Sequence, residues 1–248
     1  MYNRSILITG ASGEIGTAVV ESVEQQAKVI GLHGNTKSYD QIKAEHRCKF
    51  VYIQSNLTNQ EECHSVVDKF VDEAGEINGL VQAHGNISRS CSWEESNNND
   101  WLTDLNVNLI SSFFLAQRAI YHMREKGGAI ILMSTASATR GGGSNSLPYG
   151  VSKYGVQCIV KRLARDSGKY GIRINAVAPG YIQTKLHKEF HNKQKQNNDD
   201  RIKLRIKNIP LNQVGTTQNV ADVISNLLLD EKSFITGQII TIDGGDFI

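Results

Sequence analysis

The chain is short of the features that mark several protein classes. Its 248 residues hold only four cysteines and three prolines. Cys48, Cys63, Cys91 and Cys158 are scattered and form no CxxC pair, which argues against a zinc knuckle or a disulfide framework. Charge of one sign is lacking too. The formal net charge is +2 and no basic face stands out, so nucleic acid is not an expected partner. No apolar run approaches the roughly 18 residues that a membrane span needs. Met1-Tyr-Asn-Arg-Ser5 runs directly into an apolar strand without a secretory leader pattern, so a cytoplasmic protein is expected.

What is present is a regular alternation. Hydrophobic residues make up 40% of the chain, enough for one substantial core, and 22 glycines cluster at turns between periodic segments. Short β-branched runs predict strands at Ser5–Thr9, Lys28–Leu32, Phe50–Ile53, Gly79–Gln82, Ala129–Met133, Ile172–Ala176 and Gln238–Ile242. Helical periods fall between them, at Ile15–Gln25, around Tyr39–Glu45, and near Glu61–Glu73. Others cover Asn99–Arg124 as one long helix, Pro148–Ser167 and Val220–Leu229. Strands alternating with helices imply right-handed crossovers and a parallel sheet. The expected fold is α/β: a single doubly wound, Rossmann-like domain with a seven-stranded parallel sheet and helices on both faces. The polar segment at about 181–208 reads as an insertion over the sheet's carboxyl edge, where open α/β folds bind ligands.

Two motifs carry chemistry. Gly10-x-x-Gly13-x-x-Gly16 follows a strand and opens a helix, the context of a dinucleotide fingerprint. Glycine lets the backbone approach a pyrophosphate, and the helix N-terminus offers N–H groups and partial positive charge. Tyr149-Gly-Val-Ser-Lys153 places a phenol and an ammonium one helical turn apart on one face. An ammonium beside a phenol favours the phenolate, so the Tyr149 pKa is expected to fall from about 10 towards working pH. That would make Tyr149 an acid or base for a carbonyl/alcohol pair.

Over essentially its whole length the chain resembles a short-chain dehydrogenase/reductase. The matching segments run in family order: Thr9–Gly16, Asn56-Leu57-Thr58, Val81–Gly85, Trp101…Asn108, Ser134-Thr135 and Tyr149…Lys153. Asn175–Thr184 and Thr236…Gly245 complete the series. The C-terminal half looks like the family's carbonyl and 3-oxoacyl reductases. Three positions depart from the pattern. Glu14 stands where a small residue is usual, Gln82-Ala83-His84-Gly85 replaces Asn-Asn-Ala-Gly, and Asn56 replaces an adenine-binding Asp.

The resemblance implies a catalytic set of Asn108, Thr135, Tyr149 and Lys153. Thr135 is placed ahead of Ser134 and Ser137 as the hydroxyl that orients the substrate oxygen. Asn108 is expected to shape its helix and hold a water that links Lys153 to solvent. The implied coenzyme contacts are Gly10, Ser12, Gly13, Ile15, Gly16, His33, Asn35, Asn56, Leu57, Ala83, Gly85, Tyr149, Lys153, Pro179, Gly180, Ile182 and Thr184. No acid follows Leu32 to repel a 2′-phosphate, and Asn35, Thr36 and Lys37 could line one, so NADPH is expected over NADH. No metal is expected; His187 and His191 lack a third ligand. The expected partner is a small-molecule or carrier-bound carbonyl substrate, with Arg89, Arg140 and the insertion's lysines as candidate anion contacts. A homotetramer, or a dimer, is expected, pairing the helices Asn99–Arg124 and Pro148–Ser167 and covering the apolar end Phe247-Ile248. Two alternatives stand beside the oxidoreductase: a non-catalytic nucleotide-binding protein, and a sugar-nucleotide epimerase or dehydratase suggested by the Gly13 spacing.

Overall fold

In the computed structural model, residues 4–34, 48–143, 145–184, 203–204 and 206–247 are described. Seven strands pair in the order β3-β2-β1-β4-β5-β6-β7, and every pairing is parallel. They are β1 (Arg4–Thr9), β2 (Ala27–Gly34), β3 (Lys49–Gln54), β4 (Gly79–Gln82), β5 (Gly128–Met133), β6 (Ile172–Pro179) and β7 (Ile239–Ile242). The central strands are apolar at nearly every position because both sheet faces are covered, as in Ile6, Leu7 and Ile8 of β1, all fully buried.

Helices α2 (Gln60–Ala74), α4 (Ser111–Met123) and α5 (Leu147–Ser167) cover one face, with Phe70, Leu115, Met123 and Val156 in the core beneath them. Helices α1 (Glu14–Val23) and α6 (Thr217–Leu229) cover the other, over Ile6, Ile8, Val19, Ile30 and Ile224. Local chemistry sets the helix ends. The Asn59 side chain accepts from the Glu62 N–H to start α2, and Gly75 ends it in the left-handed region. A Thr216/Asn219 capping box starts α6.

The expected helix over Asn99–Arg124 is three pieces: α3 (Asn98–Leu105), a π-helical turn at Asn106–Ile110, and α4. Side chains explain the break. The Asn108 amide donates to the Asp104 carbonyl at 2.9 Å, Ser111 Oγ to that of Val107 at 2.6 Å, and Ser112 Oγ to that of Asn108 at 2.9 Å. Three successive i−4 bonds from side chains compete with the backbone ladder and favour a widened turn. The segment around Tyr39–Glu45 lies outside the described residues.

Strand order reverses between β1 and β4, whose ends meet where Thr9 pairs with Gln82. A crevice opens beyond the strand ends at such a switch point. The fingerprint loop, the turn after β4, the π-helical turn and the start of α5 all reach it.

Candidate active site

The fingerprint loop is shaped for close backbone contact. Gly10 has φ +72°, and a Cβ there would lie 2.5 Å from the His84 backbone nitrogen. Only glycine fits both the dihedral and the space. The Gly13 N–H donates to the Gly10 carbonyl at 3.0 Å, and a Cβ on Gly16 would overlap that same carbonyl oxygen. Gly13 is the N-cap of α1 and supplies no side-chain cap, so the first N–H groups of the helix face the crevice without one. Ser12 and Ile15 are half-buried beside this turn. The cradle fits a pyrophosphate. Gly10, Ser12, Gly13, Ile15 and Gly16 are the residues that would hold it.

At the adenosine end the structure places His33 inside. It is 3% exposed, and among the described residues neither ring nitrogen has a hydrogen-bond partner. Burial pushes its pKa down to about 4, so it stays neutral and adds no cation near a 2′-phosphate. Its carbonyl instead accepts from the Ala11 N–H at 3.0 Å, tying β2 to the fingerprint loop. Asn56 is exposed beyond β3, and Leu57 is buried in the left-handed region at φ 56°. Asn35, Thr36 and Lys37 lie outside the described residues, as do His187, His191 and most of the insertion.

Asn108 and Lys153 meet around Gly85, and Tyr149 stands one turn before Lys153. A Cβ on Gly85 would lie 3.1 Å from Asn108 Oδ1 and 3.3 Å from Lys153 Nζ, so the glycine admits both. Asn108 Oδ1 accepts from the Asn86 N–H at 3.0 Å and its Nδ2 donates to the Asn86 carbonyl at 2.8 Å. Its amide therefore fastens the turn after β4. Lys153 is 2% exposed; its Nζ donates to the Met133 carbonyl at 3.0 Å and stands 5.8 Å from the Tyr149 ring centre. Ala83, within that turn, donates from its N–H to the Thr9 carbonyl at 2.9 Å.

The expected lowering of the Tyr149 pKa is overturned. Burial, with the Asp104 carboxylate adding repulsion, pushes the phenol up to about 12. Lys153 spends a proton on Met133 rather than on the phenol, and burial pushes its own pKa down to about 8 against the pull of Asp104. Tyr149 thus rests as the neutral acid.

The three candidate hydroxyls separate clearly. Ser134 is buried; its Oγ donates to the Lys153 carbonyl at 3.0 Å and accepts from Gln157 at 3.0 Å, so it fastens β5 to α5. Thr135 is half-buried, with Oγ1 3.2 Å from Ser137 Oγ and donating to the Pro179 carbonyl at 3.3 Å. Thr135 therefore joins the far side of the site, where Gly180 donates from its N–H to the Ile242 carbonyl at 2.9 Å. Ile182 is 2% exposed and Thr184 8%; the Ile182 side chain packs in the core, which leaves its backbone for a ligand.

Arg89 is not free for an anion. Its guanidinium holds Asp100 at 3.0 Å and the Glu95 carbonyl at 2.6 Å. Arg140 lies over the Phe247 ring, 4.6 Å from its centre. Two site residues escaped the sequence reading. Asp104 is buried, accepts from the Ser88 N–H at 2.7 Å, and has its pKa raised by burial; its spacing four before Asn108 was the available signal. His84 showed only as a departure from the usual motif. No group of three metal-binding side chains occurs among the described residues.

The chain is similar to known proteins over nearly its whole length. Residues 10–246 match the family described as "Enoyl-(Acyl carrier protein) reductase". The chain is 32% identical over 244 residues to "3-oxoacyl-[acyl-carrier-protein] reductase FabG" of Thermotoga maritima, covering 96% of each chain. Among solved structures, a putative short-chain alcohol dehydrogenase from Sinorhizobium meliloti 1021 superposes with a TM-score of 0.90 at 26% identity, covering 99% of this chain and 97% of that one. "ElxO with NADP Bound" superposes with a TM-score of 0.86 at 28% identity, covering 98% of each chain.

Proposed function

This chain belongs to the short-chain dehydrogenase/reductase family, and from that premise we propose that it reduces a ketone to a secondary alcohol with Tyr149 as proton donor. It is an NAD(P)(H)-dependent oxidoreductase acting on CH–OH/C=O carbon. The observation that carries the assignment of roles is the meeting of Asn108, Lys153 and Gly85 beside the fingerprint cradle, with Tyr149 one turn away.

A bound nicotinamide coenzyme supplies the hydride. Gly10, Gly13 and Gly16 would hold its pyrophosphate at the α1 N-terminus. Ser12, Ile15, Asn56, Leu57 and Ala83 would line its approach, and Pro179, Gly180, Ile182 and Thr184 would border its nicotinamide. Thr135, its hydroxyl turned away from the Pro179 carbonyl, donates its one hydrogen bond to the substrate oxygen. Tyr149 gives that oxygen its proton as negative charge develops there. A phenol with a pKa of about 12 is fully protonated at neutral pH, which suits the reductive direction. Lys153, mostly protonated at neutral pH, stabilises the phenolate that remains and would orient the ribose of a bound coenzyme. Asn108 holds the turn that brings Gly85 up to Lys153.

The proposed coenzyme is NADPH, because β2 ends in Leu32-His33-Gly34 with no acid to repel a 2′-phosphate, and the ElxO relative binds NADP. The proposed substrate class is a carrier-bound or small 3-oxoacyl compound, on similarity to the Thermotoga maritima reductase. The proposed assembly is a homotetramer. Leu102, Ile110 and Tyr121 on α3–α4 and Val151 and Tyr154 on α5 are exposed large apolar or aromatic side chains, more than a solvated helix pair carries. A panel of ketones and 3-oxoacyl thioesters, assayed with each coenzyme by nicotinamide absorbance, tests the reading. Turnover is expected on a 3-oxoacyl thioester with NADPH. No turnover on any carbonyl with either coenzyme would overturn it.

A further inference from the structure

The motif that departs most from the family pattern contributes a side chain to the centre of the site. His84 Nδ1 lies 2.6 Å from Thr9 Oγ1, and Nε2 lies 2.9 Å from Ser111 Oγ. Thr9 ends β1 and is fully buried; the next residue is Gly10 of the fingerprint. Ser111 opens α4 directly after the π-helical turn that carries Asn108. The imidazole therefore joins the loop proposed to hold the coenzyme to the turn that carries Asn108.

The hydrogen bonds fix which nitrogen carries the proton. Ser111 has one hydroxyl proton and donates it to the Val107 carbonyl at 2.6 Å. It can then only accept from His84, so Nε2 bears the hydrogen. Nδ1 is left as an acceptor, and Thr9 donates to it. The chain of donors runs Thr9 to His84 to Ser111 to the Val107 carbonyl, with each proton used once. Burial, with the charge of Lys153 adding to it, pushes the His84 pKa down to about 3, so the ring stays neutral. The same turn is held again two residues later by the paired Asn86–Asn108 bonds.

We propose that His84, as its Nε2–H tautomer, is a positioning residue that sets the fingerprint loop and the Asn108 turn in register across the site. The proposal rests on the oxidoreductase reading for its kinetic consequence, though not for its geometry. Each half of the strut has its own effect. The Thr9 bond steadies Gly10 and therefore coenzyme affinity. The Ser111 bond steadies the π-helical turn that presents Asn108 to Gly85 and Lys153, and therefore turnover.

Two amides separate the halves. In His84→Asn the amide oxygen stands near the Nδ1 position and keeps the Thr9 bond; in His84→Gln the amide nitrogen reaches the Nε2 position and keeps the Ser111 bond. A lost bond that strands a buried partner weakens the step it serves by about tenfold or more. With purified full-length protein, NADPH affinity is read by fluorescence titration and kcat on the best carbonyl substrate. His84→Asn is expected to keep coenzyme affinity within about threefold and lose about tenfold in kcat. His84→Gln is expected to do the reverse. His84→Ala should lose both. Equal losses in both measurements for the two amide variants, or an unchanged His84→Ala, would overturn the proposal. Long-range nitrogen–proton NMR of histidine-labelled protein, with His84→Asn assigning the signal, reads the tautomer without coenzyme. An Nε2–H pattern that does not titrate across about pH 5 to 8 is expected. An Nδ1–H pattern, or titration in that range, would overturn the proposal even in a fully active enzyme. Wild-type protein that binds no nicotinamide coenzyme but shows the Nε2–H pattern would instead sink the functional reading and leave the strut standing.

Discussion

Replacing Tyr149 with Phe removes one oxygen atom from a half-buried ring near the start of α5. Among the described residues no hydrogen bond holds that phenol, so the fold loses no buried partner and stability is expected to change by about 0.5 kcal/mol or less. The ring keeps its packing and Lys153 keeps its bond to Met133. Coenzyme affinity is therefore expected to stay within about threefold. The chemical step loses its proton donor, and positioned acid catalysis contributes about a hundredfold to ten-thousandfold. At about 1.4 kcal/mol per tenfold, kcat should fall by the equivalent of about 2.7 to 5.4 kcal/mol of transition-state stabilisation. Three measurements separate the effects: initial rates by nicotinamide absorbance, Tm by calorimetry and coenzyme binding by fluorescence. A folded Tyr149→Phe protein turning over within about threefold of wild type would refute the assignment. So would a variant whose lost activity tracks lost coenzyme binding.

Thr135→Ser should keep kcat within about threefold and Thr135→Ala should lose tenfold or more, since the hydroxyl is the working group. Ser134→Ala should instead lower Tm, because its hydroxyl bonds to the backbone of α5; a large kcat loss with unchanged Tm there would exchange the two roles. Light scattering at micromolar concentration should report a tetramer, and a monomer would leave the exposed Val151 and Tyr154 on α5 without explanation. Acid should destabilise the protein through its two buried histidines. Their folded pKa values are lowered to about 4 for His33 and about 3 for His84, so below the ordinary value of 6.5 the unfolded chain binds more protons. Stability should then fall as pH drops from about 6.5 towards 4, by at most about 1.4 kcal/mol per pH unit for each histidine. Equal Tm at about pH 7 and pH 5 would show that neither ring is held neutral.

Much of the molecule is legible in one dimension because it depends on local or periodic chemistry. Ile6-Leu7-Ile8 and Ile130-Ile131-Leu132 are apolar without alternation since both faces of a parallel strand are covered, and the alternation with helices then leaves few topologies. Gly10, Gly13 and Gly16 announce a strand-to-helix cradle by their spacing, and Tyr149 and Lys153 share a helix face by theirs. What each of those groups experiences is decided by partners far away in sequence. Lys153 binds the Met133 carbonyl, and burial raises the phenol it was expected to acidify, because desolvation outweighs an ammonium that points elsewhere. Spacing cannot choose between Ser134 and Thr135; contact with α5 on one side and with Pro179 on the other does. The π-helical turn needs three side chains to take their own i−4 carbonyls, a competition that helical periodicity does not register. His84 was visible in the sequence as an anomaly alone. Its meaning arose when the fold set Thr9, 75 residues before it, and Ser111, 27 residues after it, on the two nitrogens of one ring. Residue type supplies a donor and an acceptor, and only tertiary structure assigns which atom each one meets.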